Sequence, residues 1–422
     1  MDQSSPAFLR VDRFDNGLTL VMEHMPEVRS AGMALAIVGG VSTDPEHAVG
    51  SANLLSDWIL RGAGGRDARA LSAALDSLGV QRSCAADTVF LRFSASMLAK
   101  TLPEVLPLVA DIFQRPQLPE SGFAPCREMA LGQLEAIEDE PAQKLNMLLR
   151  SQHLPPPLGR PALGIKEHLL ALTVDDLRLD YRRRFTPDGA ILSIAGHISF
   201  DEIHDLVAGA FGSWQGPKAA VVVPGIAPGG VRHEMQKTNQ VQIGLAFDSV
   251  PERDPDSILA ALSVNVLSGG MGARLFSEIR EKQGLCYSVQ AGYQSLRTQG
   301  MIFGYAGTVP ERAQKTLDAF VHELNRLTDG ISADELQRAK IGMKSRVVMN
   351  GESSGARAAA LMHDMYHIGR PRTLDELRAR IEAPTPAMVN SYLERNPVRQ
   401  LTLVTIGPEP LTPPPTSAPK AG

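Results

Sequence analysis

An order of elements that runs through the chain twice restricts its fold more than any other feature. The two passes lie on either side of a stretch that breaks helices and most strands. That stretch, Gly212 to His233, reads GSWQGPKAAVVVPGIAPGGVRH. Its prolines lack a backbone N–H and fix φ, and its glycines add freedom. It marks a domain boundary, giving an N-terminal domain over 1–212, a linker over 213–233 and a C-terminal domain over 234–411. In the first half, Leu18–Glu23 and Gly32–Val38 read as strands, and the turn-rich Met25–Ser30 between them suits an antiparallel hairpin. Helices follow from about Gly50 and Ala68, then a strand over Thr88–Ser94, helical periodicity over Leu102–Phe113 and Phe123–Leu149, and an apolar strand over Ala190–Ala195. The second half repeats the order: strand Gln240–Phe247, helices Ser257–Val266 and Ala273–Arg280, strands Leu285–Ala291 and Met301–Gly307, helices from Glu311, and strand Leu401–Ile406. In each half an acid- and proline-bearing loop, Ser42–His47 or Ser249–Asp256, leads from strand to helix. The expected fold is therefore α+β, with two homologous domains that each pack a mainly antiparallel sheet against helices.

A length of 422 residues agrees, because it exceeds one ordinary core and suits two or three domains. The net charge of -5 offers no basic footprint, which argues against nucleic acid as a partner. The opening MDQSSPAFLRVDRFDNG has no apolar run of signal-peptide length, and no window approaches the roughly 18 apolar residues of a membrane helix. A cytoplasmic protein with no membrane partner is expected. Cys84, Cys126 and Cys286 are odd in number and far apart, so reduced thiols are expected rather than a disulfide framework or a metal knuckle. Residues 412–422 lack core-forming side chains and read as a disordered tail.

The segment with the most chemical content is LSGGMGARLFSEIREKQGLCYSV, Leu267 to Val289. Leu275, Phe276 and Ile279 share an apolar helical face, and Gly284 ends the helix. Arg280 then sits at a helix end, and Tyr287 falls on the following strand. A fixed guanidinium and a phenol are donors that could stabilise the oxyanion formed when a peptide bond is hydrolysed. The bland alternative pairs Arg280 with a neighbouring acid and half-buries Tyr287. This segment resembles, nearly residue for residue, the pattern RLFxEIREKxGLxYSV of the pitrilysin or insulinase family of zinc metallopeptidases. The resemblance extends over almost the whole chain, because that family is built from pairs of α/β domains forming a half-clamshell. It implies that Arg280 and Tyr287 hold a substrate carbonyl opposite a metal.

Active members of that family carry HxxEH, with two histidines at i and i+4 binding zinc and the glutamate activating water. The matching frame here is GSANLLSDWILRGAGG, in which those positions are Asn53, Ser56 and Asp57. Aligning on EDEP, Glu138 to Pro141, places Gln133 where the third ligand belongs. Glu135 is two residues on, about 200° around a helix, and points away. These positions are expected to hold no zinc, and the helix around Asn53 to persist because Leu54, Leu55, Trp58 and Ile59 pack a core. HDMYH, His363 to His367, has zincin spacing with Asp364 in place of glutamate and reads as a chance match on an amphipathic helix with solvated histidines.

The resemblance thus implies a short two-domain subunit of the heterodimeric type related to the mitochondrial processing peptidase. Such a subunit would bind no cofactor itself. It would pair with an HxxEH-bearing homologue that holds zinc and present Arg280 and Tyr287 to a peptide or small protein. An extended peptide would add to a sheet edge by main-chain pairing, and the strand near Gln81–Ala86 matches the family's edge. Three alternatives stay open. One is a purely structural scaffold, like the core subunits of a respiratory complex. Another is an independent zincin that uses His363 and His367. The third is a maturation-protease subunit for a small peptide-derived product such as a quinone cofactor.

Overall fold

The computed structural model describes residues 8–414, which pack as two compact units. The first takes the chain up to Ala136 together with Pro156–Gly225 and Asn350–Arg372. The second takes Ile137–Pro155, Ile226–Met349 and the chain from Thr373. The units are therefore not the consecutive 1–212 and 234–411 drawn from the sequence. Each borrows one helix-bearing segment from the other half.

In the first unit, β1 (Leu9–Arg13), β2 (Thr19–His24), β3 (Ser30–Val38), β6 (Gln81–Ala86), β7 (Phe90–Leu98) and β8 (Ile191–Gly196) form one sheet. Its order is β1-β2-β8-β3-β7-β6, while β4 (Gly62–Ala63) and β5 (Arg66–Asp67) make a separate small hairpin. The pairing is antiparallel except between β2 and β8. The expected hairpin of the first two apolar runs does not form, because β8 inserts between β2 and β3. Every residue of β8 is buried, so it belongs at the centre of a sheet covered on both faces. The strand β1 was not anticipated.

Alternation along β3 shows how the two faces are covered. Met33, Leu35 and Ile37 enter a core with α1 (Ser51–Trp58), α3 (Leu102–Gln114) and α8 (Phe200–Phe211). Ala34 and Ala36 face the other way, toward Ala358, Leu361 and Met362 of α12 (Ser354–Ile368). The small side chains let that helix come close: a Cβ on Gly32 would lie 2.4 Å from the backbone of Ser354 and Gly355. The remaining helices of this unit are α2 (Ala68–Ser77), most of α4 (Glu120–Glu138), α6 (Lys166–Ala171) and α7 (Val174–Arg184), and the last two were not anticipated.

The second unit repeats the scheme with β9 (Val231–Met235), β10 (Val241–Ser249), β11 (Ser288–Ser295), β12 (Gly300–Thr308) and β13 (Thr402–Gly407), in the order β11-β12-β10-β13-β9. Val241, Ile243, Leu245 and Phe247 of β10 face a core with α9 (Ser257–Ser268), α10 (Ala313–Asn325) and α14 (Pro386–Arg395). Ala246 of β10 faces Leu145, Leu148 and Leu149 of α5 (Pro141–His153). Helices α11 (Ala333–Gly351) and α13 (Leu374–Glu382) complete the set. The single helical stretch expected over Phe123–Leu149 is two helices, because Pro141 begins a new one at its first turn. Thr412, expected in a disordered tail, exchanges two 2.9 Å hydrogen bonds with Gln314, and the tail from 415 lies outside the described residues. Among the described residues no helix is long and apolar enough to cross a membrane.

Buried charge fixes the position of α12. Arg357 is 1% exposed, and its Nε donates to Glu23 Oε2 on β2 at 2.8 Å. Removing one member of such a pair strands a charge, whereas replacing both with apolar groups is often near neutral. Arg357→Leu is expected to lower the unfolding free energy by about 3–5 kcal/mol. Glu23→Leu in the same chain is expected to restore most of that loss, as read from denaturant midpoints.

Candidate functional site

The loop and helix that carry Arg280 are fixed from below. Leu275 and Ile279 are fully buried, and Arg274, just before them, donates from Nε to Glu335 Oε1 at 2.6 Å and from a terminal nitrogen to the Gly330 carbonyl at 2.9 Å. The Arg274 guanidinium is the main reason that the Glu335 carboxyl is held at about 2. The expected α-helix over Ala273–Arg280 is instead a π-helix, Leu275–Lys282, a rare winding that concentrates at functional positions. Gly284 then turns the chain with φ +61, which favours glycine. The Leu285 carbonyl beyond it accepts from the hydroxyls of Thr308 at 2.5 Å and Thr316 at 3.1 Å.

On this frame Arg280 is exposed, its guanidinium carbon 4.9 Å from the centre of the Phe276 ring. Among the described residues it makes no ion pair. The nearby acid Glu278 is held by Lys282 at 2.8 Å. Tyr287 precedes β11 rather than lying on it, because the strand starts at Ser288 and not Leu285. Its N–H donates to the Gly307 carbonyl at 2.9 Å while its side chain is 61% exposed. The bland expectation, an acid-paired arginine and a half-buried tyrosine, is not met. Cys286, next to Tyr287, is pushed up by burial and partly drawn back by the Arg280 charge, which puts Arg280 within electrostatic reach of the residue beside Tyr287.

The four positions of the metal frame lie in the first unit. Asp44 caps α1 from outside, accepting from the N–H groups of Gly50 at 2.7 Å and Ala52 at 3.1 Å, and Arg184 holds it at 2.9 Å. Leu54, Leu55, Trp58 and Ile59 pack the core as expected. Ser56 is 2% exposed and donates to the Asn53 carbonyl at 2.7 Å, so it turns inward. The Asn53 side-chain nitrogen is buried without a hydrogen-bond partner. Gln133 is exposed on α4, and Glu135 lies 3.4 Å from Lys166.

Asp57 has companions that the sequence did not reveal. Burial pushes its carboxyl up, opposed by Arg61. Arg61 also draws the Cys126 thiol on α4 partly back down, and the Asp57 charge pushes the Cys84 thiol on β6 further up. Both thiols are pushed up by burial, and all three cysteines are free. No spacing signal links residues so far apart. As a donor set, two amides, an inward hydroxyl and a carboxyl biased toward protonation do not suit zinc, which prefers thiolate, imidazole and ionised carboxylate. Beside them, among the described residues, β6 pairs only with β7 and exposes alternate residues, so its outer edge could accept an added strand.

The insulinase model of peptidase family M16 matches residues 19–164, and the model described as the peptidase M16 inactive domain matches residues 171–343. Together they span about three quarters of the chain. This chain belongs to the insulinase family of peptidases. Among relatives of this insulinase-family chain, an uncharacterized zinc protease of Streptomyces coelicolor is 27% identical over 403 residues, covering 93% of this chain and 88% of its own. YmxG of Bacillus subtilis, also described as an uncharacterized zinc protease, is 27% identical, covering 93% of this chain and 97% of its own. In fold, the chain is similar to a peptidase M16 inactive domain structure from Pseudomonas fluorescens, with TM-score 0.86 at 20% identity, covering 96% of this chain and all of that one. A protease structure from Helicobacter pylori gives TM-score 0.85 at 17% identity, covering 94% of this chain and 99% of its own. The M16 fold and the α+β expectation are thereby established.

The hold on the Arg280 frame carries a pH signature. The folded-state value of Glu335, about 2, lies below its ordinary 4.5, so its contribution to stability is present above about pH 4.5 and is lost as pH falls toward 2. The stability difference between the native chain and Glu335→Gln is expected to shrink over that window, as read from urea midpoints at stepped pH.

Proposed function

We propose that this insulinase-family chain does not cut peptides alone but pairs with an HxxEH-bearing homologue and supplies Arg280 and Tyr287 to the homologue's active site. The observation that carries the reading is the contrast between its two candidate sites. Arg280 and Tyr287 are exposed and uncommitted on a rigid frame. The positions that would bind zinc hold Asn53, Ser56, Asp57 and Gln133 instead.

As water attacks a peptide carbonyl, negative charge builds on its oxygen. A guanidinium N–H and a phenolic O–H aimed at that oxygen stabilise it more in the transition state than in the ground state. Arg280 is suited to this because its charge is not spent on a neighbour and its stacking on Phe276 limits its freedom without burying the donors. Zinc and the water-activating glutamate belong to the partner in this scheme. The substrate is a peptide or small protein held in extended form.

In the assembled pair, Arg280→Ala and Tyr287→Phe are each expected to lower turnover about a hundred- to a thousandfold, with smaller changes in KM. Steady-state cleavage of a fluorogenic peptide checks this. Unchanged turnover in both variants would reduce the chain to a scaffold.

A further inference from the structure

His363 and His367 stand one turn apart on α12 and form a pair that the proposed peptidase role does not use. Their rings stack face to face with centroids 4.1 Å apart and planes 30° from parallel, and their ligating nitrogens come within 4.8 Å. The expectation of two solvated histidines fails for His367, which is 8% exposed. Its ring is also held sideways. It meets Tyr366 edge-on at 5.1 Å, and Tyr366 in turn packs edge-on against Phe90 of β7 at 4.6 Å. A buried, oriented imidazole has already lost much of the freedom that metal binding would otherwise remove.

Both rings therefore lie on one face of the helix. Histidines at i and i+4 are the helical spacing that lets two imidazoles share one ion. We propose that His363 and His367 bind one divalent transition-metal ion of the zinc and cobalt class, at a site distinct from the Asn53 frame and independent of the Arg280 and Tyr287 reading. The site is not a second peptidase centre. Asp364, which occupies the place of the zincin glutamate, is 3% exposed and accepts from the Arg372 N–H at 3.0 Å and Nε at 3.1 Å. Turned inward and committed to Arg372, it is not placed to activate water. A bound ion would instead tie two turns of α12 together, and α12 is the helix that covers the first sheet.

The test uses the full chain, stripped with a chelator and titrated with Zn2+ by calorimetry and with Co2+ by visible absorption. The expected result is one ion per chain, a Tm that rises with added Zn2+, and imidazole-ligated Co2+ bands. His363→Ala is expected to weaken binding at least about tenfold. Its metal-free Tm should stay near that of the native chain, and His367→Asn provides a second variant. The rings of His24 and His197, 5.5 Å apart, serve as the internal control. Absence of stoichiometric binding by the folded native chain would overturn the proposal. So would binding that survives His363→Ala with His367→Asn, or that is lost only when His24 and His197 are replaced.

Discussion

A sheet with two apolar faces is stable only when both are covered, and in this chain the second cover of each sheet comes from the opposite half of the sequence. The small residues of β3 make room for α12, and those of β10 make room for α5. The contact at β3 is too close for any side chain on Gly32, and the Glu23–Arg357 pair fixes the helix along the strand with charges that cannot be left unmatched. Neither half of the sequence contains a complete unit. Both halves must therefore be present for either sheet to be buried, and the duplication visible in the element order is expressed as reciprocal exchange rather than as two beads on a string.

The same frame supports two candidate sites of different character. The α1 helix keeps its external cap on Asp44 and its packing through Leu54, Leu55, Trp58 and Ile59, none of which needs a metal. Its Asn53–Asp57 face carries an unmatched amide, a carboxyl raised by burial, and thiols pushed up by burial. The Arg280 segment depends on its core residues, on the Arg274–Glu335 clamp and on the Gly284 turn, while its two solvent-facing donors contribute little to packing.

Much of this was legible in the sequence where periodicity or a long motif carried it. The α1, α3, α9 and β12 positions follow from apolar spacing, and Arg280 and Tyr287 stand out by motif. Sheet order was not legible. The fully apolar β8 announces a buried strand but not which strands it separates, so the β2 and β3 runs read as a hairpin. The split at Pro141 was missed because helical periodicity continues across it, and the π-helix because hydrogen-bond register leaves no trace in side-chain pattern. The gathering of Arg61, Cys84 and Cys126 around Asp57 depends on packing between distant segments, as does the burial of His367.

The account centres on a chain that is silent alone and required in company. The most direct test holds an HxxEH-bearing homologue from the same source at fixed concentration, adds this chain in increasing amounts, and follows endopeptidase rate. The account predicts little activity from either protein alone and a rate that rises to saturation at one chain per homologue. A homologue that cleaves equally well at every ratio, including none, would contradict it.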